Sequence, residues 1–113
     1  MRSIGNYGED LAIQHLISNG YEIIKRNYYT RFGELDIIAK INNRVFVIEV
    51  KFLSKQYLHS GYKINYKKKQ RMIQCTQLFM DQYKLKNVYI QFDLIAIIDQ
   101  QIHHIKHIFN VTS

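Results

Sequence analysis

Two carboxylates and an amine stand out by type and spacing: Asp36, then Glu49-Val50-Lys51 thirteen residues later. Glu49 and Lys51 are two apart, so on a strand they project from the same face. A hairpin would lay the strand of Asp36 beside them, within cross-strand reach. Hard oxygen donors of this kind suit Mg²⁺ or Mn²⁺. A cation held there can polarise a phosphodiester and activate a water, with Lys51 steadying the attacking hydroxide or the developing negative charge. The Val50 main-chain carbonyl is a further candidate ligand. Glu9, on an N-terminal helix, is a candidate to complete the metal shell or orient its water. The same spacing fits a cross-strand salt-bridge set on a solvated face equally well, and Glu9 equally fits an ordinary early-helix acid favoured by the dipole. Carboxylates facing a phosphate repel it until a cation is bound, so the nuclease reading carries a metal requirement.

Charge points the same way. The chain has 113 residues, with 16 Lys and Arg against 9 Asp and Glu, a formal net charge of +7. That excess favours a polyanionic partner, nucleic acid foremost. From Lys51 to Arg71 the chain carries seven basic residues and no acid. Lys55, Lys63, Lys67, Lys68 and Arg71 are the candidate nucleic-acid contacts of that stretch, although Lys67-Lys68-Lys69 alone is most often a solvated helix face. Glu34, Asp36 and Glu49 lie just ahead of it, so acids and bases are set side by side.

Composition excludes other classes. A hydrophobic fraction of 47% and a charged fraction of 22% fit a folded globular chain rather than a disordered one. Five Gly and no Pro exclude collagen-like and linker compositions. A single Cys excludes a disulfide framework within the chain and fits a reducing compartment. Glu9 and Asp10 interrupt the stretch where a signal peptide needs an apolar core, and no apolar run reaches the roughly 18 residues of a spanning helix. The expectation is a cytoplasmic protein with no membrane partner, one domain over residues 1–113.

Periodicity supplies the elements that must position these groups. Ile4 to Asn19 reads as a helix with Leu11, Ala12, His15 and Leu16 on one face, closed by Asn19-Gly20. Tyr21–Tyr29, Glu34–Lys40 and Arg44–Phe52 read as strands, turning at Thr30–Gly33 and Asn42-Asn43. Strict alternation puts Leu35, Ile37 and Ala39 opposite Glu34, Asp36 and Ile38, and Val45, Val47, Glu49 and Lys51 opposite Phe46, Ile48, Val50 and Phe52. Ser54 to Asn65 reads as a loop. Asn65 is the expected N-cap of a second helix to about Tyr83, with Met72, Cys75, Thr76, Phe79 and Tyr83 buried. Val88–Ile98 reads as a strand buried on both faces, and Ile102–Phe109 as a last edge strand. The order is α-β-β-β-α-β with a final β.

The pattern Asp36…Glu49-Val50-Lys51 behind a helix bearing Glu9 resembles the PD-(D/E)XK nuclease superfamily. More narrowly, the chain resembles the YraN-like family of small bacterial proteins. The matching residues are Gly5–Ala12, Gly20-Tyr21, Arg26-Asn27, Gly33–Ala39, Val45–Lys51 and Phe92-Asp93. The resemblance implies an α/β, restriction endonuclease-like αβββαβ core with a mixed central sheet flanked by helices. It implies Asp36, Glu49 and Lys51 as the catalytic set and Glu9 as a helper. It further implies a Mg²⁺- or Mn²⁺-dependent endonuclease acting on DNA, by analogy with junction resolvases on branched or structured DNA. A homodimer is expected if two strands are cut symmetrically. Three positions depart from the family pattern: Phe52-Leu53 replaces its usual Thr-Arg, and Gln91 its usual Arg before Phe-Asp. Those losses keep a non-catalytic nucleic-acid-binding protein as the alternative, followed by an interaction protein that pairs through the Ile102–Phe109 edge.

The remaining features read as structural. Cys75 is expected buried, and Asp93 a hydrogen-bonding residue within an apolar run. Alternation would bring His103 and His107 together on a titratable surface strand rather than in a metal site. Tyr57 to Tyr66 could stack on bases or simply pack.

Overall fold

The computed structural model describes residues 4–59, 61 and 63–111. Helix α1 (Ile4–Ser18) leads into strands β1 (Glu22–Thr30), β2 (Gly33–Ile41) and β3 (Arg44–Phe52). A short helix α2 (Lys55–His59) and a longer α3 (Tyr66–Gln82) follow, then β4 (Tyr89–Ile98) and β5 (Gln101–Phe109). The five strands form one sheet in the order β1-β2-β3-β4-β5. All neighbours are antiparallel except β3 and β4, which run parallel. A parallel pair cannot be closed by a hairpin, so the segment carrying α2 and α3 must cross over the sheet. This is the mixed sheet flanked by helices that the αβββαβ reading required.

The two helices cover opposite faces. Beneath α3, Met72, Cys75 and Phe79 pack on Val45, Val47, Ile38 and Phe92. Beneath α1, Ala12 and Leu16 pack on Ile37, Ala39, Phe46, Ile48, Ile95 and Ile97. Gln91 to Ile98 are all buried, because β4 lies in the interior of the sheet. Phe79 is fully buried, edge-on to Tyr28 and stacked on Tyr83; truncating such a ring typically costs ~3–5 kcal/mol. Among the described residues no helix is long and apolar enough to cross a membrane.

Local chemistry explains the punctuation. The Asn65 side chain accepts the Lys68 N–H at 2.8 Å and so caps α3. Asn42 takes a left-handed φ of 53° in the two-residue turn between β2 and β3. Thr30 holds the preceding turn, accepting the Phe32 N–H and donating to the Gly33 carbonyl.

Four expectations need correction. The stretch expected as loop holds α2, whose Ser54 hydroxyl accepts the Tyr57 N–H; Ser60 and Tyr62 of that stretch lie outside the described residues. Tyr83 is not in the buried stripe but at the C-cap, 40% exposed. Alternation along β2 is broken: Leu35 joins Ile38 under α3, while Ile37 and Ala39 lie under α1. The opposing strand turns over at the same place. Asn27, with φ 56°, separates Arg26, which faces α1, from Tyr28, which faces α3. Finally, the strict alternation assumed for β5 does not hold, and His104 reaches inward to Asp93. A register shift between Phe92 and Leu94 and the left-handed φ of 57° at His107 break the period on β5.

Candidate active site

The site lies where β2 and β3 part. Their pairing runs from Ile41↔Arg44 to Ile37↔Ile48 and stops there. Past that point the Asp36 carboxylate takes over the ladder, accepting the Val50 N–H at 2.9 Å. Asp36 is thereby fixed at the mouth of the splayed hairpin. Burial pushes its pKa up; the Val50 N–H works against this, and the charges of Glu49, Glu9 and Glu34 add to it. The outcome is a carboxyl raised to about 6.

Glu49 points from β3 toward α3, on the side of Val45 and Val47, as alternation required. Its side chain is 7% exposed, with Oε1 2.5 Å from Lys68 Nζ and 3.9 Å from Lys51 Nζ. Its second oxygen, Oε2, is buried and has no hydrogen-bond partner among the described residues. An orphaned carboxylate oxygen in the interior is costly unless something satisfies it. Asp36 and Glu49 share a narrow cleft with Glu34, Leu35, Ile48 and Met72. Its volume of about 10 Å³ is room for one water or ion rather than for a substrate. Beside it opens a groove of about 220 Å³ lined by Gly33, Glu34, Lys68, Arg71 and Met72.

The donor set fits a magnesium-class ion. Magnesium is usually held by one or two carboxylates, with waters and substrate phosphates completing the octahedron. Two carboxylates with a free oxygen meet that need only with waters and substrate completing the shell, since among the described residues no group of three or more His, Cys, Asp or Glu is gathered to hold a metal ion.

The other expected residues distribute unevenly. Lys51 does not line the cleft; it is half-exposed and within ion-pair distance of Glu49. Val50 engages Asp36 through its N–H. Glu9 is buried but does not line the cleft; it pairs with Arg26 at 3.3 Å, and Arg26 also binds Asp10 at 2.6 Å. Its influence on Asp36 is through its field. Lys68 and Arg71 line the groove, Lys63 and Lys67 are exposed, and Lys55 pairs with Asp99 at 3.6 Å on α2. Lys69, a neighbour in sequence, lies over the Phe109 ring instead.

Two pairings were not foreseen. In the Lys68–Glu49 contact, the Asn65 cap fixes Lys68 in the first turn of α3, and the docking of α3 across the sheet brings that turn to Glu49; only the place of Lys68 in the first turn was readable. The second is on the α1 face, where fully buried Asp93 lies 2.8 Å from His104 Nε2 and accepts from Gln91 and from the His107 N–H. Burial raises the Asp93 pKa, but those hydrogen bonds outweigh it and hold the carboxyl below its ordinary value. The expectation that Asp93 is structural therefore stands, with a partner that the broken period on β5 concealed. Gln91 also receives the Arg44 guanidinium at 3.3 Å, so a cation is linked to Asp93 through Gln91. Leu53 directly follows β3. Its N–H bonds the Ile97 carbonyl and its side chain packs on the sheet.

A family model described as "Uncharacterised protein family UPF0102" matches residues 8–97. Similar relatives are UPF0102 proteins of Persephonella marina, Thermodesulfovibrio yellowstonii and Clostridioides difficile. The first is 37% identical over 110 residues, covering 95% of this chain and 93% of the relative. The second is 40% identical over 107 residues, covering 94% and 95%. The third is 33% identical over 110 residues, covering 93% and 95%.

Proposed function

The chain belongs to the UPF0102, or YraN-like, family, and on that premise we propose that it is a metal-dependent endonuclease hydrolysing nucleic-acid phosphodiester bonds. The observation that carries this reading is the convergence of Asp36 and Glu49 on an ion-sized cleft, with Glu49 Oε2 unsatisfied and a cationic groove alongside. A bound Mg²⁺ or Mn²⁺ would supply the Lewis acid that polarises the phosphate and lowers the pKa of the attacking water. Asp36 and Glu49 would hold that ion, with the Val50 carbonyl as a further ligand. Lys51 steadies the developing negative charge. Arg71 and Lys68 meet the neighbouring phosphates of the backbone, and the exposed Lys63 and Lys67 extend that track. Glu9 acts indirectly, since its charge helps keep Asp36 proton-hungry until a cation arrives. DNA is the proposed substrate, in branched or structured form, cut by a homodimer that presents two sites.

The test is a cleavage panel of single strands, duplex, flaps and four-way junctions in Mg²⁺, Mn²⁺ or EDTA, run beside Glu49→Ala. Metal-dependent cutting that disappears in the variant while nucleic-acid binding persists is expected. Cutting by Glu49→Ala at the wild-type rate would refute the site. A second reading, a nucleic-acid-binding protein without catalysis, is favoured by the Lys68 ammonium on Glu49 and by the missing arginine at Leu53. It expects binding that weakens with salt, is indifferent to EDTA, and brings no cleavage on any substrate.

A further inference from the structure

Resting on Asp36 and Glu49 as the metal ligands, we infer that Lys68 is a built-in stand-in for the metal, displaced into the substrate groove when the ion binds. Lys68 Nζ sits 2.5 Å from Glu49 Oε1, much closer than the 3.9 Å of Lys51. Its backbone is pinned by Asn65, so the ammonium is aimed at this carboxylate from a fixed first turn. A carboxylate as buried as Glu49 needs a compensating charge, and in the metal-free protein Lys68 provides it. The contact is one-sided: Oε1 is occupied, while Oε2 is left for another cation. Asp36 and Glu49 would hold a divalent ion on the same carboxylate that Lys68 already occupies, and two cations on one carboxylate repel each other.

The exit is already shaped. Lys68 is 35% exposed and lines the same groove as Arg71 one turn later on α3. Swung away from Glu49, its ammonium lies beside the Arg71 guanidinium, where a backbone phosphate would satisfy both. Metal binding thus delivers a second cation to the groove. The ion and the nucleic acid then bind with positive coupling, and each raises affinity for the other by the same factor. The groove would be half-charged until the catalytic metal is present, so the chain would grip its substrate fully only when able to cut it.

The test is a Mn²⁺ titration by calorimetry or electron paramagnetic resonance, without nucleic acid, on wild type, Lys68→Met, Glu49→Ala and, as a control outside the site, the exposed Lys86→Met. A second measurement on the wild type follows acylation of Lys68 by mass spectrometry with and without saturating Mn²⁺, which needs no variant to fold. Lys68→Met is expected to bind Mn²⁺ about tenfold tighter or more, Lys86→Met to match wild type, and Glu49→Ala to lose binding. Acylation of Lys68 is expected to rise several-fold on Mn²⁺ binding, about the range of a typical coupling. Equal affinity in wild type and Lys68→Met, or unchanged acylation at saturation, overturns the displacement while Glu49→Ala still upholds the ligands. Mn²⁺ binding that survives Glu49→Ala, or is absent from wild type and Lys68→Met alike, overturns the ligand assignment and the displacement with it.

Discussion

Replacing Asp36 by Asn should stabilise the metal-free protein, and by an amount that depends on pH. Burial first, then the charges of Glu49, Glu9 and Glu34, lift the Asp36 pKa from 3.8 to about 6 against the pull of the Val50 N–H. The folded state therefore holds this proton more tightly than the unfolded chain does. Its contribution to stability is fully present below the unfolded pKa and is lost as pH rises through about 6. Each tenfold in proton affinity corresponds to ~1.4 kcal/mol, so ionised Asp36 costs the fold about 3 kcal/mol above that pH. Asn retains an oxygen for the Val50 N–H and removes the charge, recovering part of this. A gain of ~1–3 kcal/mol is expected at pH 7.5 in EDTA, a visible fraction of the ~5–15 kcal/mol of a typical fold. The assay is urea unfolding of wild type and Asp36→Asn from pH 4 to pH 8, the gap closing toward pH 4. An Asp36→Asn protein less stable than wild type at pH 7.5, or a gain that does not shrink in acid, would refute the argument that this site stores unfavourable charge.

Other perturbations have equally definite outcomes. His104→Ala strips buried Asp93 of its shortest contact and should destabilise by ~2–4 kcal/mol at neutral pH, read by urea unfolding. Because the Asp93 carboxyl is held below its ordinary pKa, stability from this network is present at neutral pH and is lost as pH falls below the normal Asp range. Asn65→Ala removes the α3 cap for ~1 kcal/mol and, by loosening the turn bearing Lys68, should measurably raise amide exchange there. Gly8→Ala would drive a methyl to 2.8 Å from the Phe52 ring and 3.1 Å from Ile97 Cδ1. Half-exposed Phe52 can give way and buried Ile97 cannot, so a loss of ~1 kcal/mol in thermal unfolding is expected.

Much of this architecture was legible because it is periodic. The 3.6-residue stripe of Met72, Cys75, Thr76 and Phe79 and the two-residue stripe of Val45, Val47 and Glu49 each identify an element and its buried side. What escaped lies where the period breaks. Leu35 and Ile37 fall on opposite faces because the hairpin splays at Asp36, and no pattern of residue types announces a splay. The alternation assumed for the histidines of β5 failed for a related reason, a register shift and a left-handed residue within nine positions. The carboxylate pair was readable from spacing and resemblance. The ammonium that meets Glu49 was not, since it belongs to a helix whose docking is set by the crossover rather than by any local sequence.

That crossover has a consequence for the order of folding. Asp36 and Glu49 belong to one hairpin closed by a two-residue turn, a contact the chain can make early and locally. Lys68 reaches Glu49 only after α3 has docked, and the parallel pairing of β3 with β4 adds further loop-closure entropy. The acids are thus assembled before their cation arrives, and the nascent hairpin carries a repulsion that Lys68 offsets only in part once α3 has docked. Folding should accordingly quicken when salt or Mg²⁺ screens those acids, even where the final stability changes little. The same ions proposed to serve the finished site would then help the chain reach it.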